Sequence, residues 1–334
     1  MRTVLLTGGL GYIGSHVAVE LAAKNYKIVI LDDLSNSERF VFDRLKEITG
    51  QDMLFVDGDV RDPQVVQRIF SKDRIDGVIH LAAKKAVGES VKRPLLYYDV
   101  NINGLVNLLT ETKNHAVEKL IFSSSCTVYG TPEELPVTEQ TPFGMTPSPY
   151  GKTKQMCEAI LEDFSKVSDY PIISLRYFNP VGAIKGGAIG ELPKGIPNNL
   201  VPFITQATAG ERAELKVFGA DYPTPDGSAI RDYIHVVDLA KAHVKALELE
   251  SEKFDTFNIG TGQGYSVLEV IEAFEKVNGV KVPYKIADRR EGDVETIYGD
   301  PIKANEVLGW KAELGLENMM RDAWVWQKRV SSLG

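Results

Sequence analysis

Tyr150 and Lys154 stand four residues apart in the run Ser148-Pro-Tyr-Gly-Lys-Thr-Lys154, which puts both on one face of a helix. The run supplies its own helix start, because serine caps well and proline suits the first helical position. A phenol beside an ammonium can do proton chemistry. Free tyrosine titrates near pH 10, so poising it near neutrality takes ~3 pKa units, or ~4 kcal/mol of differential stabilisation. A neighbouring cation acts in that direction. An arbitrary Tyr-x-x-x-Lys is more often an exposed pair, so the rest of the chain has to supply the context.

Upstream lies Ser123-Ser-Ser-Cys-Thr-Val-Tyr-Gly130, a run of hydroxyls leaving the apolar stretch Lys119–Ser123. At the end of a central parallel strand such hydroxyls face the crevice where doubly wound sheets bind ligands; a simple polar strand exit has the same composition. At the other end of the chain, Thr7-Gly-Gly-Leu-Gly-Tyr-Ile-Gly14 follows an apolar run. Gly9, Gly11 and Gly14 satisfy G-x-G-x-x-G, and Gly8, Gly11 and Gly14 the related G-x-x-G-x-x-G. Between a strand and a helix, these glycines let backbone N–H groups approach a pyrophosphate, with the helix N-terminus adding partial positive charge. Alone the spacing also suits an ordinary turn.

Asp32 ends the next strand, 18 residues past Gly14. A carboxylate there accepts from the adenosine ribose hydroxyls and repels a 2′-phosphate, favouring NAD over NADP. A turn-starting aspartate is the alternative for Asp32 or Asp33, and for Asp59 after the third strand a turn is the simpler account. With glycine loop and acidic residue in register, an oxidised nicotinamide would add a second cation beside Tyr150.

The elements that must position these groups alternate in period. Short β-branched runs at Thr3–Thr7, Lys27–Leu31, Met53–Asp57, Gly77–Leu81 and Lys119–Ser123 are separated by helical patterns, such as Ile13, Val17 and Leu21, and a longer one within Leu95–Lys113. Strand-helix alternation predicts a Rossmann-type doubly wound parallel sheet, covered on both faces. Pro171–Arg176 and Thr256–Ile259 are further β-like runs able to return to that sheet. The expected division is a cofactor domain over 1–178, with returning segments near 231–260, and a smaller, interleaved C-terminal α/β substrate domain over 179–334.

The 334 residues carry a net charge of −8 with no dense basic run, which argues against a nucleic-acid partner. Cys126 and Cys157 are too few for a disulfide framework and fit a reducing compartment. The N-terminus runs straight into a strand without a signal peptide, and no apolar run reaches the ~20 residues of a membrane span. A cytoplasmic protein without a membrane partner is expected. Nothing in the pattern calls for a metal.

Over nearly its whole length the chain resembles the extended short-chain dehydrogenase/reductases, and within them the UDP-glucose 4-epimerase family. The likeness rests on Thr-Gly-Gly-x-Gly-Tyr-Ile-Gly-Ser-His, Lys85-Ala-Val-Gly-Glu-Ser90, the serine and Tyr-x-x-x-Lys runs, and Leu175-Arg-Tyr-Phe-Asn-Pro-Val-Gly182. Ile196-Pro-Asn-Asn-Leu200, Arg231-Asp-Tyr-Ile-His235 and Arg289-Arg-Glu-Gly-Asp293 complete it. The resemblance implies oxidation of a UDP-hexose at C4 by bound NAD, rotation of the 4-keto sugar, and hydride return to its other face, interconverting UDP-glucose and UDP-galactose.

It also implies roles. Tyr150 is the base, Lys154 binds the nicotinamide ribose and lowers the tyrosine pKa, and Ser125 bonds the 4-oxygen. NAD contacts fall on Gly8, Gly11, Tyr12, Ile13, Gly14, Asp32, Asn36, Asp59, Val60, Lys85 and Phe178, besides Tyr150 and Lys154. Sugar-nucleotide contacts fall on Asn179, Asn199, Leu200, Phe218, Arg231, Arg290, Asp293 and Ile297, besides Ser125 and Tyr150. Paired arginines suit a pyrophosphate dianion. A homodimer is implied as well.

Two departures from the family pattern stand out. Ile297 occupies a position that carries either tyrosine, which narrows the sugar pocket, or a small residue, which admits an N-acetyl group; isoleucine is intermediate, leaving UDP-GlcNAc and UDP-GalNAc open. Lys84 and Cys126 replace an apolar residue and an alanine, without a functional account. A 4,6-dehydratase would carry Asp-Glu just after the serine run, where this chain has Cys126-Thr127. A non-catalytic dinucleotide sensor on the same fold would have no use for Tyr150, Lys154 and Ser125.

Overall fold

The computed structural model describes residues 2–251, 253–289 and 294–332. β1 (Thr3–Thr7) leads through the glycine turn into α1 (Tyr12–Ala23), and β2 (Lys27–Asp32), α2 (Phe40–Thr49), β3 (Leu54–Asp57), α3 (Pro63–Lys72) and β4 (Gly77–His80) keep the alternation. Residues 95–113 are helical as expected, with one irregularity. α4 (Val87–Lys92) comes first, and α5 (Pro94–Tyr98) then runs through a π-helical turn at Asp99–Asn103 straight into α6 (Gly104–Asn114), the junction residues staying right-handed helical. β5 (Lys119–Ser123), a 3₁₀ turn at Cys126–Tyr129, α7 (Pro149–Ser165) and β6 (Ile172–Tyr177) follow.

The second half runs β7 (Asn179–Val181), α8 (Leu200–Thr208), β8 (Leu215–Phe218), β9 (Ile230–His235), α9 (Val236–Glu248), β10 (Phe254–Ile259), β11 (Gly264–Ser266), α10 (Val267–Asn278), β12 (Tyr284–Ala287), β13 (Thr296–Ile297), α11 (Ile302–Glu306) and α12 (Leu316–Ser331).

Seven strands form one parallel sheet in the order β10-β6-β5-β4-β1-β2-β3. Its strands are apolar on both sides because both sides are covered. Val4, Leu6, Ile28 and Ile30 pack with Val17 and Leu21 of α1 and Leu239 of α9. The alternate residues Leu5, Val29 and Leu31 pack on the other face with Val66 and Ile69 of α3 and Leu105 and Leu108 of α6. β1 lies between β2 and β4, so the chain reverses direction across the sheet there, and the crevice opens at the C-terminal ends of β1 and β4.

The run 231–249 divides: β9 joins a small sheet with β7, β11 and β13, while α9 packs against α1. β8 pairs with β12 in a two-stranded ribbon. Val201, Ile204, Phe274, Met319 and Met320 make a separate core beneath these elements. Among the described residues no helix is long and apolar enough to cross a membrane.

Candidate active site

The glycine turn is shaped by what cannot fit in it. Gly8 has φ +68°, and a Cβ on Gly14 would lie 2.2 Å from the Gly8 carbonyl oxygen. Helix α1 therefore starts flush against the turn, with Ser15 N–H donating to Gly11 O at 2.9 Å. A Cβ on Gly8 would meet Ala82 N at 2.9 Å, so the turn also abuts the exit of β4. Asp32 ties the loops together: its carboxylate accepts from Leu10 N–H at 3.0 Å, Leu34 N–H at 3.0 Å and the Ser37 hydroxyl at 2.6 Å. Burial raises its pKa, against the pull of those donors.

These walls enclose a cavity of about 820 Å³. Its lining brings together Gly8, Gly11, Tyr12, Ile13, Gly14, Asp32, Asn36, Asp59, Val60, Lys85, Tyr150, Lys154 and Asn199. Asp59 is held below its ordinary pKa chiefly by hydrogen bonding to Arg61. The Tyr12 hydroxyl donates to Gly182 O at 2.7 Å, joining the first turn of α1 to the second half.

Tyr150 and Lys154 project from the first turns of α7, which Ser148 caps by accepting from Gly151 N–H at 3.3 Å. Both are buried. The Lys154 ammonium donates to Ser123 O at 2.6 Å and lies 4.7 Å from the Phe122 ring centre. Burial lowers its pKa to about 8, which leaves it charged at neutral pH. Burial pushes Tyr150 up to about 12, while interaction with the Ser125 hydroxyl pulls the other way. The protein's own groups thus keep the phenol protonated, and Lys154 spends its charge on a carbonyl.

One turn beyond Lys154, Glu158 fixes this helix to the sheet. Its carboxylate accepts from the hydroxyls of Ser124 and Ser174, the latter at 3.1 Å, and from the Arg176 guanidinium at 2.6 Å. Arg176 also donates to the Tyr129 hydroxyl at 3.1 Å, which donates in turn to Asn258 Oδ1 of β10 at 2.6 Å. Breaking a buried pair of this kind costs about 3–5 kcal/mol, because one charge is left uncompensated.

The remaining candidates lie apart from this cavity's lining. Phe178 is buried among Cys126, Val128, Tyr129, Val137 and Ile297, at the seam between the serine run and the small sheet. Asn179 begins β7 opposite Tyr233, and Leu200 opens α8. Phe218 ends β8, half-buried. Arg231, on β9, donates to the carbonyls of Ile230 at 2.8 Å and Glu295 at 3.2 Å, and sits beside Ile297 in the neighbouring strand's register. Ile297 is 5% exposed. Arg290 and Asp293 lie outside the described residues.

A family model described as GDP-mannose 4,6 dehydratase matches residues 5–323. A UDP-glucose 4-epimerase of Bacillus subtilis is 53% identical over 97% of this chain and 96% of its own length. The crystal structure of UDP-glucose 4-epimerase from Bifidobacterium longum, in complex with NAD+ and UDP, superposes with a TM-score of 0.95 at 49% identity, covering 98% of each chain. The Stenotrophomonas maltophila UDP-glucose-4-epimerase, with NAD and formylated UDP-arabinopyranose, gives 0.96 at 47% identity over the full length of both. The chain belongs to the UDP-glucose 4-epimerase family.

Several members of the cavity wall had no individual signal in the sequence. Leu81, Ala82, Ala83 and Lys84 line it immediately after β4, as does Tyr177 at the end of β6. The rule that ligands sit beyond the carboxyl ends of parallel strands would have found them. Glu191 is the other addition. Its carboxylate accepts from Lys85 Nζ at 3.2 Å and from Asn199 Nδ2 at 2.7 Å, linking a cofactor candidate to a sugar-nucleotide candidate. Lys84, unexplained by sequence, reaches Ser35 Oγ at 3.3 Å across the cavity.

Proposed function

We propose that this chain interconverts UDP-glucose and UDP-galactose using a resident NAD. The observation that carries the reading is the junction of a dinucleotide-sized cavity with a buried Tyr150–Lys154–Ser125 group. Backbone pressed against backbone at Gly8 and Gly14 suits a pyrophosphate at the start of α1. Asp32 offers a carboxylate to the ribose hydroxyls, and Lys85, Asp59, Val60 and Phe178 complete the cofactor set. Bound oxidised NAD supplies a reversible hydride acceptor and a positive charge beside the Tyr150 phenol.

Tyr150 takes the proton of the sugar 4-hydroxyl and returns it, with Ser125 holding the 4-oxygen. Lys154 orients the nicotinamide ribose and keeps a cation close to the phenol. Asn179, Asn199, Leu200, Phe218, Arg231, Arg290 and Asp293 hold the UDP, so that the 4-keto sugar can turn while its nucleotide stays. Residues 1–178, with α9 and β10 returning, serve the cofactor, and 179–334 serve the UDP-sugar. The pairing of β10 with β6 supports that division.

A dehydratase reading meets a chemical obstacle. The two positions after Ser125 are Thr127 and Cys126, and burial pushes the Cys126 thiol up to about 12, so neither offers a carboxyl-like acid at neutral pH. Purified protein given UDP-galactose and no added cofactor should form UDP-glucose. Folded, NAD-bearing protein that forms none would overturn the epimerase reading. Offering UDP-GlcNAc and UDP-GalNAc to the same sample decides what Ile297 admits.

We also infer a cytoplasmic homodimer. Val87, Val91, Leu95, Val106 and Met156 are exposed on α4 to α7, helices that pack together, with Leu95 80% exposed. Light scattering should give twice the chain mass, and Leu95→Glu should shift it toward one.

A further inference from the structure

The loop between β7 and α8 crosses the molecule. Its root is seated against α12: a Cβ on Gly190 would lie 2.4 Å from the Trp326 ring, and Trp326 Nε1 donates to Glu191 O at 2.9 Å. Its far end is the N-terminus of α8 at Asn199. Between these points Glu191, Lys194, Ile196 and Asn198 form one wall of the 820 Å³ cavity, while Ser35, Asn36 and Glu38 of the loop after β2 belong to another. Lys194 joins the two walls. Its ammonium donates to Leu34 O at 2.8 Å and lies 3.3 Å from Glu38 Oε1.

Two features make this more than a chance surface contact. Leu34 is a non-glycine residue at φ +55°, a costly conformation that persists only where its surroundings impose it. It is imposed here by Asp32, which accepts the Leu34 N–H, and it presents the carbonyl that Lys194 takes up. Nearer the loop's root, Glu191 pairs with Lys85 on the opposite side of the cavity, so the loop is fastened at two places rather than one.

We propose that Gly190–Asn199 is a clasp that retains the dinucleotide, fastened by Lys194 onto the loop that reads the adenosine ribose. The proposal rests on the cavity taking NAD. Escape of a ligand between the two walls requires the Lys194 contacts to part, so their loss raises the release rate more than it changes the seat itself. A cofactor that must return its hydride to the same sugar profits from slow release, because a departed reduced cofactor strands the keto intermediate.

The test uses purified holoenzyme and measures NAD remaining bound during dialysis, independently of turnover. Partly exposed pairs are individually weak, so Lys194→Ala should speed NAD loss about two- to fivefold. Adding Glu191→Gln should raise this to roughly tenfold. Lys194→Glu, which sets a carboxylate against Leu34 O and Glu38, should release NAD faster still. Lys276→Ala, which removes a surface pair with Glu317 outside the cavity's lining, should behave as wild type. Unchanged NAD loss in Lys194→Ala or in Lys194→Glu would overturn the clasp. Wild-type protein that binds no NAD would overturn the cofactor reading, and the clasp with it.

Discussion

The two halves of the molecule build their sites in opposite ways. On the cofactor side, the candidates come in short runs at strand ends: the glycine turn after β1, Asp32 to Asn36 after β2, Asp59 and Val60 after β3, Lys85 after β4. β1 is buried at every residue, so the sheet fixes where each run emerges. Among the sugar-nucleotide candidates, Asn179, Asn199, Phe218, Arg231 and Ile297 come from five separate segments: β7, the N-cap of α8, β8, β9 and β13. β12, which supports β8, is exposed at three of its four positions. A seat that must hold one molecule rigidly suits the first construction. A site that grips a nucleotide while its sugar turns suits the second.

The contrast can be broken most sharply at the catalytic helix. Tyr150→Phe should lower kcat by about 10²–10⁴-fold, the usual worth of a positioned proton-transfer group, while leaving bound NAD in place. Unchanged turnover would remove Tyr150 from the chemistry. Next in size is Gly14→Ala. Its methyl would fall 2.2 Å from Gly8 O and 2.7 Å from Gly9 Cα, both backbone atoms that give way only if the turn moves. Purified Gly14→Ala should therefore carry at least tenfold less NAD than wild type, read by acid release of the cofactor. Arg231→Ala should act on the other half alone. Loss of charged hydrogen bonds worth about 1.5–3 kcal/mol should raise KM for UDP-galactose roughly ten- to a hundredfold with NAD content unchanged.

Acid should also separate the halves. His16 on α1, His80 on β4 and His243 on α9 are buried in the seven-stranded sheet and its helices, and burial lowers them to about 4, 3 and 4. The unfolded chain takes up protons near pH 6.5 that the folded protein refuses. Their stability is therefore complete above 6.5 and drains as pH falls toward 4, by up to about 1.4 kcal/mol per pH unit for each histidine. Asp232, at the heart of the small sheet, works the other way. Burial raises it to about 6, so the folded state gains from its protonation as pH drops through 6. Tm measured from pH 7 to 5 should fall, and His243→Gln should flatten that slope.

How much could be read before folding follows the same division. The parallel sheet, the glycine turn and the Tyr150–Lys154 face were legible because they rest on local patterns: short β-branched apolar runs, glycine spacing, a Ser-Pro helix start. The π-helical turn at Asp99–Asn103 was not, since it keeps the helical composition and departs only in hydrogen bonding. Nor was Glu191, whose partners Lys85 and Asn199 lie 106 residues before it and eight after. Glu158 escaped for a related reason. It reads as one more acidic residue on an amphipathic helix until β6 places Arg176 against it.

The smallest effect belongs to the seam. Ile297 is packed with Phe178, just after β6, and with Cys126, Val128, Tyr129 and Val137, so it joins the small sheet to the ends of the large one. Removing one methyl there should cost about 0.5–1.5 kcal/mol in Ile297→Val, since a buried cluster relaxes only partly around a small void. A urea midpoint shifted down at constant m would show the loss. If the seam only supports the sugar pocket from behind, UDP-galactose turnover should stay within about twofold, because a loosely held sugar tolerates a change of one methyl. If the side chain itself bounds the sugar, the ratio of UDP-GlcNAc to UDP-galactose turnover should rise with each step through Ile297→Val and Ile297→Ala. A ratio that stays flat while stability falls would assign Ile297 to packing, and leave the choice of sugar to the residues around it.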